Sequence, residues 1–251
     1  MKASHLAIAA VAVLASAACN AEKKSDAAAG ASATTVAVAK PADGDWSKAV
    51  TPTDAGGFLM GNPNAKVKLI ELGSLTCPHC AEFEEKAVEP LVNNYVKKGL
   101  VSYEFRNFVR DPFDLTAALI TRCGGAKSFY PLTKAMYADQ ANWVRKIQAA
   151  TPEQQQALST LPPAEQFKEI AKLAGFQQWA AMRGLPTAKT NQCLADQQAI
   201  DKLVQMNSDA TTQFPEMPGT PTFIINGKIA ENAASWETLE PAIKKALLPP
   251  R

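Results

Sequence analysis

The sequence predicts an α/β fold in which a strand–helix–strand unit is separated from a C-terminal hairpin and helix by an inserted helical subdomain. Three observations carry this reading. A short apolar run at 67–72, bounded by turn residues, leads at once into a helical pattern and then a second strand. The text from 111 to 213 then keeps apolar residues at three- and four-residue spacing. Finally, Asn226-Gly227 stands between two short apolar runs and reads as a two-residue hairpin turn.

Taken in order, the chain opens on Lys2, an apolar run from Leu6 to Ala15, and small residues up to Cys19. That is the layout of a secretory signal over 1–18, too short and wrongly flanked for a membrane span. Cys19 has two readings. Ala17-Ala18-Cys19 fits a lipoprotein signal, with Cys19 left as a lipidated first residue, although Ser16 stands where such signals usually carry Leu, Val or Ile. Ala15-Ser16-Ala17 also fits ordinary cleavage. Cysteine parity favours the lipid reading, because the other four cysteines can pair. Residues 19–45, rich in Ala, Ser, Thr, Lys and Asp, cannot bury enough apolar surface to fold and read as a disordered linker.

Folded structure is expected from Trp46, and 46–110 forms the first part of the α/β domain. Val67-Lys68-Leu69-Ile70-Glu71-Leu72 reads as a strand between Asn62-Pro63-Asn64 and Gly73-Ser74. Phe83, Val88, Leu91, Val92 and Tyr95 then recur at helical spacing until Gly99, and 101–109 alternates as a second strand. These three elements make a βαβ unit. Asp111-Pro112 opens the insertion at 111–213, with Asp as N-cap and Pro in the first turn. The second part, 214–251, holds strands at Thr222–Ile225 and Lys228–Ala230 and a helix from Trp236 capped by Ser235. Antiparallel strands and a closing helix after a βαβ unit outline a thioredoxin-like fold.

The chain has 251 residues and a formal net charge of +2. That balance gives no electrostatic case for nucleic acid or an anionic membrane as partner. The chemistry lies in Cys77-Pro78-His79-Cys80, at the turn from the first strand into the first helix. Cys77 is expected to be exposed at the helix N-terminus, where unpaired N–H groups and the helix dipole stabilise a thiolate. His79 adds a donor, and a charge when protonated; both effects lower the Cys77 pKa. Cys80, one turn on, faces inward but reaches its partner. Zinc would need about four ligands, whereas the folded part expected from Trp46 holds one histidine, His79, and only the remote Cys123 and Cys193 besides the pair. No metal and no cofactor are therefore expected. A static disulfide fits poorly with a pair placed at a helix N-terminus. A Cys-His hydrolase fits poorly too, since His79 is too near Cys77 to serve as its base. In an oxidising compartment Cys123 and Cys193 by default form a structural disulfide, stabilising by up to roughly 4–5 kcal/mol in the chain-entropy account. A second redox relay is the alternative.

Cys77-Pro78-His79-Cys80 with Glu82-Phe83-Glu84, and Gly219-Thr220-Pro221-Thr222-Phe223 ahead of the hairpin, resemble the DsbA family of bacterial exported thiol-disulfide oxidoreductases over about 57–248. The resemblance implies that Pro221 is cis beside the cysteines and that the Thr220 backbone pairs with a substrate peptide like an added strand. It also implies a buried acid six residues before the first cysteine, where Glu71 stands. The residues alone would make Glu71 an edge-strand surface charge, and Arg106 is an imperfect substitute for the basic partner some members carry. In that family a stabilised thiolate makes the disulfide form an oxidant.

The implied activity is the introduction of disulfides into exported proteins with free thiols in the periplasm. Re-oxidation would come from a quinone-linked membrane partner of the DsbB type. A monomer is expected, because 20–45 is too short for the folded dimerisation domain of periplasmic isomerases. Two alternatives stay open: a reductase or isomerase of the same fold, since Thr before the cis proline is shared with those enzymes, and a peptide-binding holdase without turnover.

Overall fold

The structure, a computed structural model, describes residues 39–249. The signal at 1–18, Cys19 and most of the linker lie outside the described residues. A 3-10 turn at Trp46–Lys48 leads into β1 (Val50–Pro52) and β2 (Phe58–Met60), followed by β3 (Val67–Gly73), β4 (Val101–Asn107), β5 (Thr222–Ile225) and β6 (Lys228–Ile229). They form one mixed sheet in the order β1-β2-β4-β3-β5-β6, with β3 and β4 parallel and every other pair antiparallel.

Central position explains why β3 and β4 are buried on both faces. In β4 the expected polar face is covered as well: Ser102 and Glu104 are buried alongside Val101, Tyr103 and Phe105. The strand stops at Asn107 rather than Val109. Phe108 still donates to Gly73 O (2.8 Å), but the Val109 N–H turns to the Asn207 side chain (2.9 Å). Between β3 and β4 runs helix α1 (78–96), in which α-helical Pro78–Phe83 and Glu89–Leu91 alternate with π-helical Glu84–Val88 and Val92–Val96. Pro90 lacks the N–H of a regular turn, which favours the wider register around it.

The insertion is helical as expected: α2 (Pro112–Arg122), α3 (Ala126–Ala138), α4 (Gln140–Gln148), α5 (Pro152–Thr160), α6 (Pro163–Ala174), α7 (Phe176–Ala181), α8 (Thr187–Leu194) and α9 (Gln197–Gln213). Asp111 caps α2 by accepting from Asp114 N (2.8 Å). The insertion shares one apolar core with the sheet, where Phe129 from α3 stacks on Phe58 of β2 with ring centroids 4.1 Å apart. Asn226 and Gly227 take φ of 50° and 84°, as a tight turn between β5 and β6 requires. Helix α10 (Trp236–Leu247) closes the chain and buries Leu239 and Ile243. Among the described residues, no helix is long and apolar enough to cross a membrane.

Cys123, just after α2, and Cys193 in α8 form a disulfide with Cα atoms 5.7 Å apart and a sequence separation of 70. Replacing both cysteines by alanine should lower the urea-unfolding free energy by about 2–4 kcal/mol. A loss below about 0.5 kcal/mol would mean that this link does not constrain the unfolded chain.

Candidate active site

Cys77 is the N-cap of α1 and Pro78 its first residue, so the free N–H groups of the first turn surround the sulfur. Cys77 and Cys80 are free thiols, 2% and 0% exposed. Burial of Cys77 departs from the exposed position expected of it. The cover comes from far along the chain: Thr220-Pro221, joined by a cis peptide bond, lies against the sulfur, and Cys77 Sγ donates to Thr220 O at 3.1 Å.

The surroundings split the two thiols. Cys77 is brought down to about 5, chiefly by a hydrogen bond from the Cys80 thiol. Burial opposes this, and the Thr220 hydroxyl and the backbone N–H groups of Cys80 and His79 add to it. Burial drives Cys80 far above the ordinary thiol range, reinforced by Cys77 and by the charge of Glu71. The Thr220 hydroxyl is buried and has no hydrogen-bond partner in this dithiol state. The Thr220 carbonyl accepts from the protonated Cys77 thiol. His79 acts on Cys77 through its backbone; its imidazole is 76% exposed and sits 3.9 Å from Glu82.

Glu71 is 2% exposed on central β3, so the edge-strand reading does not hold. Tyr103 of β4 donates its hydroxyl to Glu71 Oε2 at 2.5 Å. Burial nevertheless pushes Glu71 up to about 8, with Glu84 and Cys77 adding repulsion. Arg106 is not its partner; its guanidinium is tied to Glu104 at 2.8 and 3.0 Å. Glu84, in the same helix as the cysteines, is raised to about 7 by burial, with Lys134 opposing.

The turn carrying Cys77 is fixed by groups that sequence patterns did not single out. Asp114 of α2, fully buried, accepts from Leu75 N (2.8 Å), Ser74 Oγ (2.6 Å) and Arg110 N (3.0 Å). Gln140 of α4 donates to Leu75 O (2.7 Å) and Cys77 O (3.0 Å), and Tyr137 of α3 donates to Ser74 O (3.1 Å). The helical insertion thus holds the reactive turn against the sheet. A second aspartate three residues after the Asp111 cap could have flagged Asp114; nothing local marks Gln140.

Two grooves lie beside residues next to the reactive cysteines, one of about 480 Å³ lined by Pro218, Pro221 and Ala230, and one of about 310 Å³ lined by His79 and Trp236. A further cavity, about 810 Å³ and lined by Val50, Met60, Val88 and Tyr130 among others, touches neither cysteine. Glu84 lies on its wall. Among the described residues no group of three or more His, Cys, Asp or Glu side chains is placed to hold a metal. The remaining arrangement is a thiol of lowered pKa beside a buried thiol and a buried acid, which suits thiol-disulfide exchange.

Comparison with known proteins agrees with that chemistry. A family model described as Thioredoxin matches residues 53–245. A curated Rickettsia prowazekii protein named as a protein-disulfide oxidoreductase is 26% identical over 202 residues, 80% of this chain. The alignment spans 65% of that relative's own length. The crystal structure of a protein-disulfide isomerase from Novosphingobium aromaticivorans is 35% identical, with a TM-score of 0.72, covering 76% of this chain and 97% of that one. Wolbachia pipientis alpha-DsbA1, 24% identical with a TM-score of 0.61 over 75% of this chain and 89% of its own, shares the fold.

Proposed function

The chain belongs to the thioredoxin family, among its disulfide oxidoreductases of the DsbA type, and from that premise we propose that it is an exported dithiol oxidase for proteins with free thiols. The observation that supports this reading best is the seat of Cys77 at the N-cap of α1, with the buried Cys80 thiol one turn on and the cis Thr220-Pro221 peptide against its sulfur, a setting that brings its pKa down to about 5. Donors that hold a thiolate stabilise the dithiol state, and so make the disulfide state an oxidant.

In the proposed cycle a substrate thiolate attacks Sγ of Cys77 in the Cys77–Cys80 disulfide. The S–S bond breaks, a mixed disulfide forms at Cys77, and Cys80 leaves as a thiolate. Its high proton affinity calls for a proton at once, and Glu71, held mostly protonated at neutral pH, is the buried group placed to supply it. A second substrate thiolate then attacks the substrate sulfur of the mixed disulfide, and Cys77 leaves as the stabilised thiolate. The substrate loses two electrons and two protons; the pair gains both electrons, so no cofactor is called for. Thr220 and Pro221 hold the incoming chain beside Sγ. Return to the disulfide passes two electrons to a membrane partner of the DsbB type. In this reading the protein acts as a monomer in the periplasm, through a signal over 1–18 and with Cys19 as a candidate lipid anchor.

A disulfide isomerase is the second reading, favoured by the name of the Novosphingobium structure. Equilibration of the pair with glutathione separates the two. An oxidase should settle near about −120 mV, with Cys80→Ser accumulating a mixed disulfide at Cys77; a value near about −180 mV would favour the isomerase, and one near about −270 mV would sink the oxidase reading.

A further inference from the structure

Pro218 and Pro221 line a groove, and Thr220, joined to Pro221 by the cis peptide bond, brings its carbonyl to 3.1 Å from Cys77 Sγ. The floor of the groove is apolar, made by Pro221, Phe223 and Ile229, but its rim carries charge of one sign. Glu216 and Glu231 line it, both are exposed, and neither forms an ion pair among the described residues. No lysine, arginine or histidine lines this groove. The neighbouring groove shares Ala234 with it and adds Glu82 and Glu237 against one lysine, Lys86. That lysine is already 2.7 Å from Glu82. The Arg110 guanidinium, the other cation beside the reactive turn, is occupied by oxygens of Thr76. An extended chain lying along Pro221 therefore runs between carboxylates that have no cation of their own.

We propose that Glu216 and Glu231 make this oxidoreductase selective for polypeptides that carry lysine or arginine next to the reacting cysteine. The inference rests on the thiol-exchange reading above, since it names the substrates of the same site. A basic flank gains two attractive contacts on docking, and an acidic flank meets repulsion from the same groups. Because both carboxylates are exposed, the effect acts chiefly on encounter and fades with salt.

The test uses three peptides of one cysteine each, flanked by lysine, serine or glutamate, reacting with the oxidised full chain. Each rate constant is divided by that of the same peptide with a small uncharged disulfide, which removes the effect of the flanks on the thiol itself. The lysine-to-glutamate ratio should be about tenfold at low ionic strength, with the serine peptide between. It should fall to within about twofold at 1 M salt, and likewise in the Glu216→Gln, Glu231→Gln double variant. A ratio rather than a rate is read, so a general loss of activity in the variant cancels. A ratio near one in the unaltered protein overturns the inference, as does a tenfold ratio that survives both substitutions. Reduction by dithiothreitol runs alongside. If it opens the Cys77–Cys80 disulfide while the peptide ratio stays near one, charge selection alone has failed. Exchange with no thiol at all would overturn the function as well.

Discussion

Titration of the reduced protein should show Cys77 ionising with a midpoint near pH 5, read from the ultraviolet absorbance of the thiolate and absent in Cys77→Ser. At pH 6 such a thiol is about 90% ionised, against about 0.3% for a thiol at the unperturbed 8.5. Intrinsic nucleophilicity falls along with the pKa, by roughly thirtyfold over that interval. The net expectation is alkylation about tenfold faster than an equally accessible ordinary cysteine at pH 6, and slower than one at pH 9. Cys80, driven the opposite way, should stay unmodified throughout. A midpoint above about pH 8 would remove the basis for an oxidising pair.

The same lowering has a direction in pH. The folded pKa lies below the ordinary thiol value, so thiolate stabilisation of the reduced form is fully present above about pH 8.5 and is lost as pH falls through 5. Compared with a thioredoxin-like thiol near pKa 7, it amounts at pH 7 to roughly 2 kcal/mol, or about 50 mV. That is about a third of the interval between −270 and −120 mV. The remaining interval must come from what else differs between the two redox states, above all the burial of Cys80 and its neighbour Glu71.

Local patterns revealed the elements they themselves build. The helical spacing of the insertion, the Asn226-Gly227 turn and the strand–turn–helix at Cys77 all follow from rules that act over a few residues. Burial of Glu71 was legible too. Strand alternation puts it on one face with Val67 and Leu69, which are 0% and 1% exposed. The family resemblance also placed a buried acid there; only the edge position suggested by the residues alone spoke against it, and strand order is set by partners elsewhere in the chain. β1 and β2, three residues each, are too short to show alternation. The cover over Cys77 comes from Thr220, 143 residues away, and the anchor of its carbonyl from Gln140. Long-range packing of this kind leaves no periodic trace. The helix N–H groups that the sequence assigned to the thiolate do lower the Cys77 pKa, but the chief cause is the Cys80 thiol and the His79 contribution comes through its backbone rather than its imidazole.

Glu71→Gln should leave the fold intact, slow the first exchange step about a hundredfold at pH 7, and change how stability responds to pH. The stability argument has a definite sign. Glu71 is raised from about 4.5 to about 8 in the folded protein. Its contribution is therefore fully present below pH 4.5 and lost as pH rises through 8. Between pH 4.5 and 7 the loss is about 3 kcal/mol, with little discount for screening because the carboxyl is 2% exposed. Relative to the variant, the parent protein should therefore lose about 3 kcal/mol over that interval in urea unfolding, whatever constant offset the new amide introduces. The kinetic argument uses the same proton. When the Cys77–Cys80 bond breaks, Cys80 leaves into a buried site that penalises its thiolate heavily. A protonated Glu71 relieves that charge, so the parent's exchange rate per substrate thiolate should fall as pH rises through about 8, and the variant's, corrected in the same way, should be flat there. A structural role alone would shift stability without removing that midpoint. Equal pH profiles in the two proteins would show that the proton reaches Cys80 by another route.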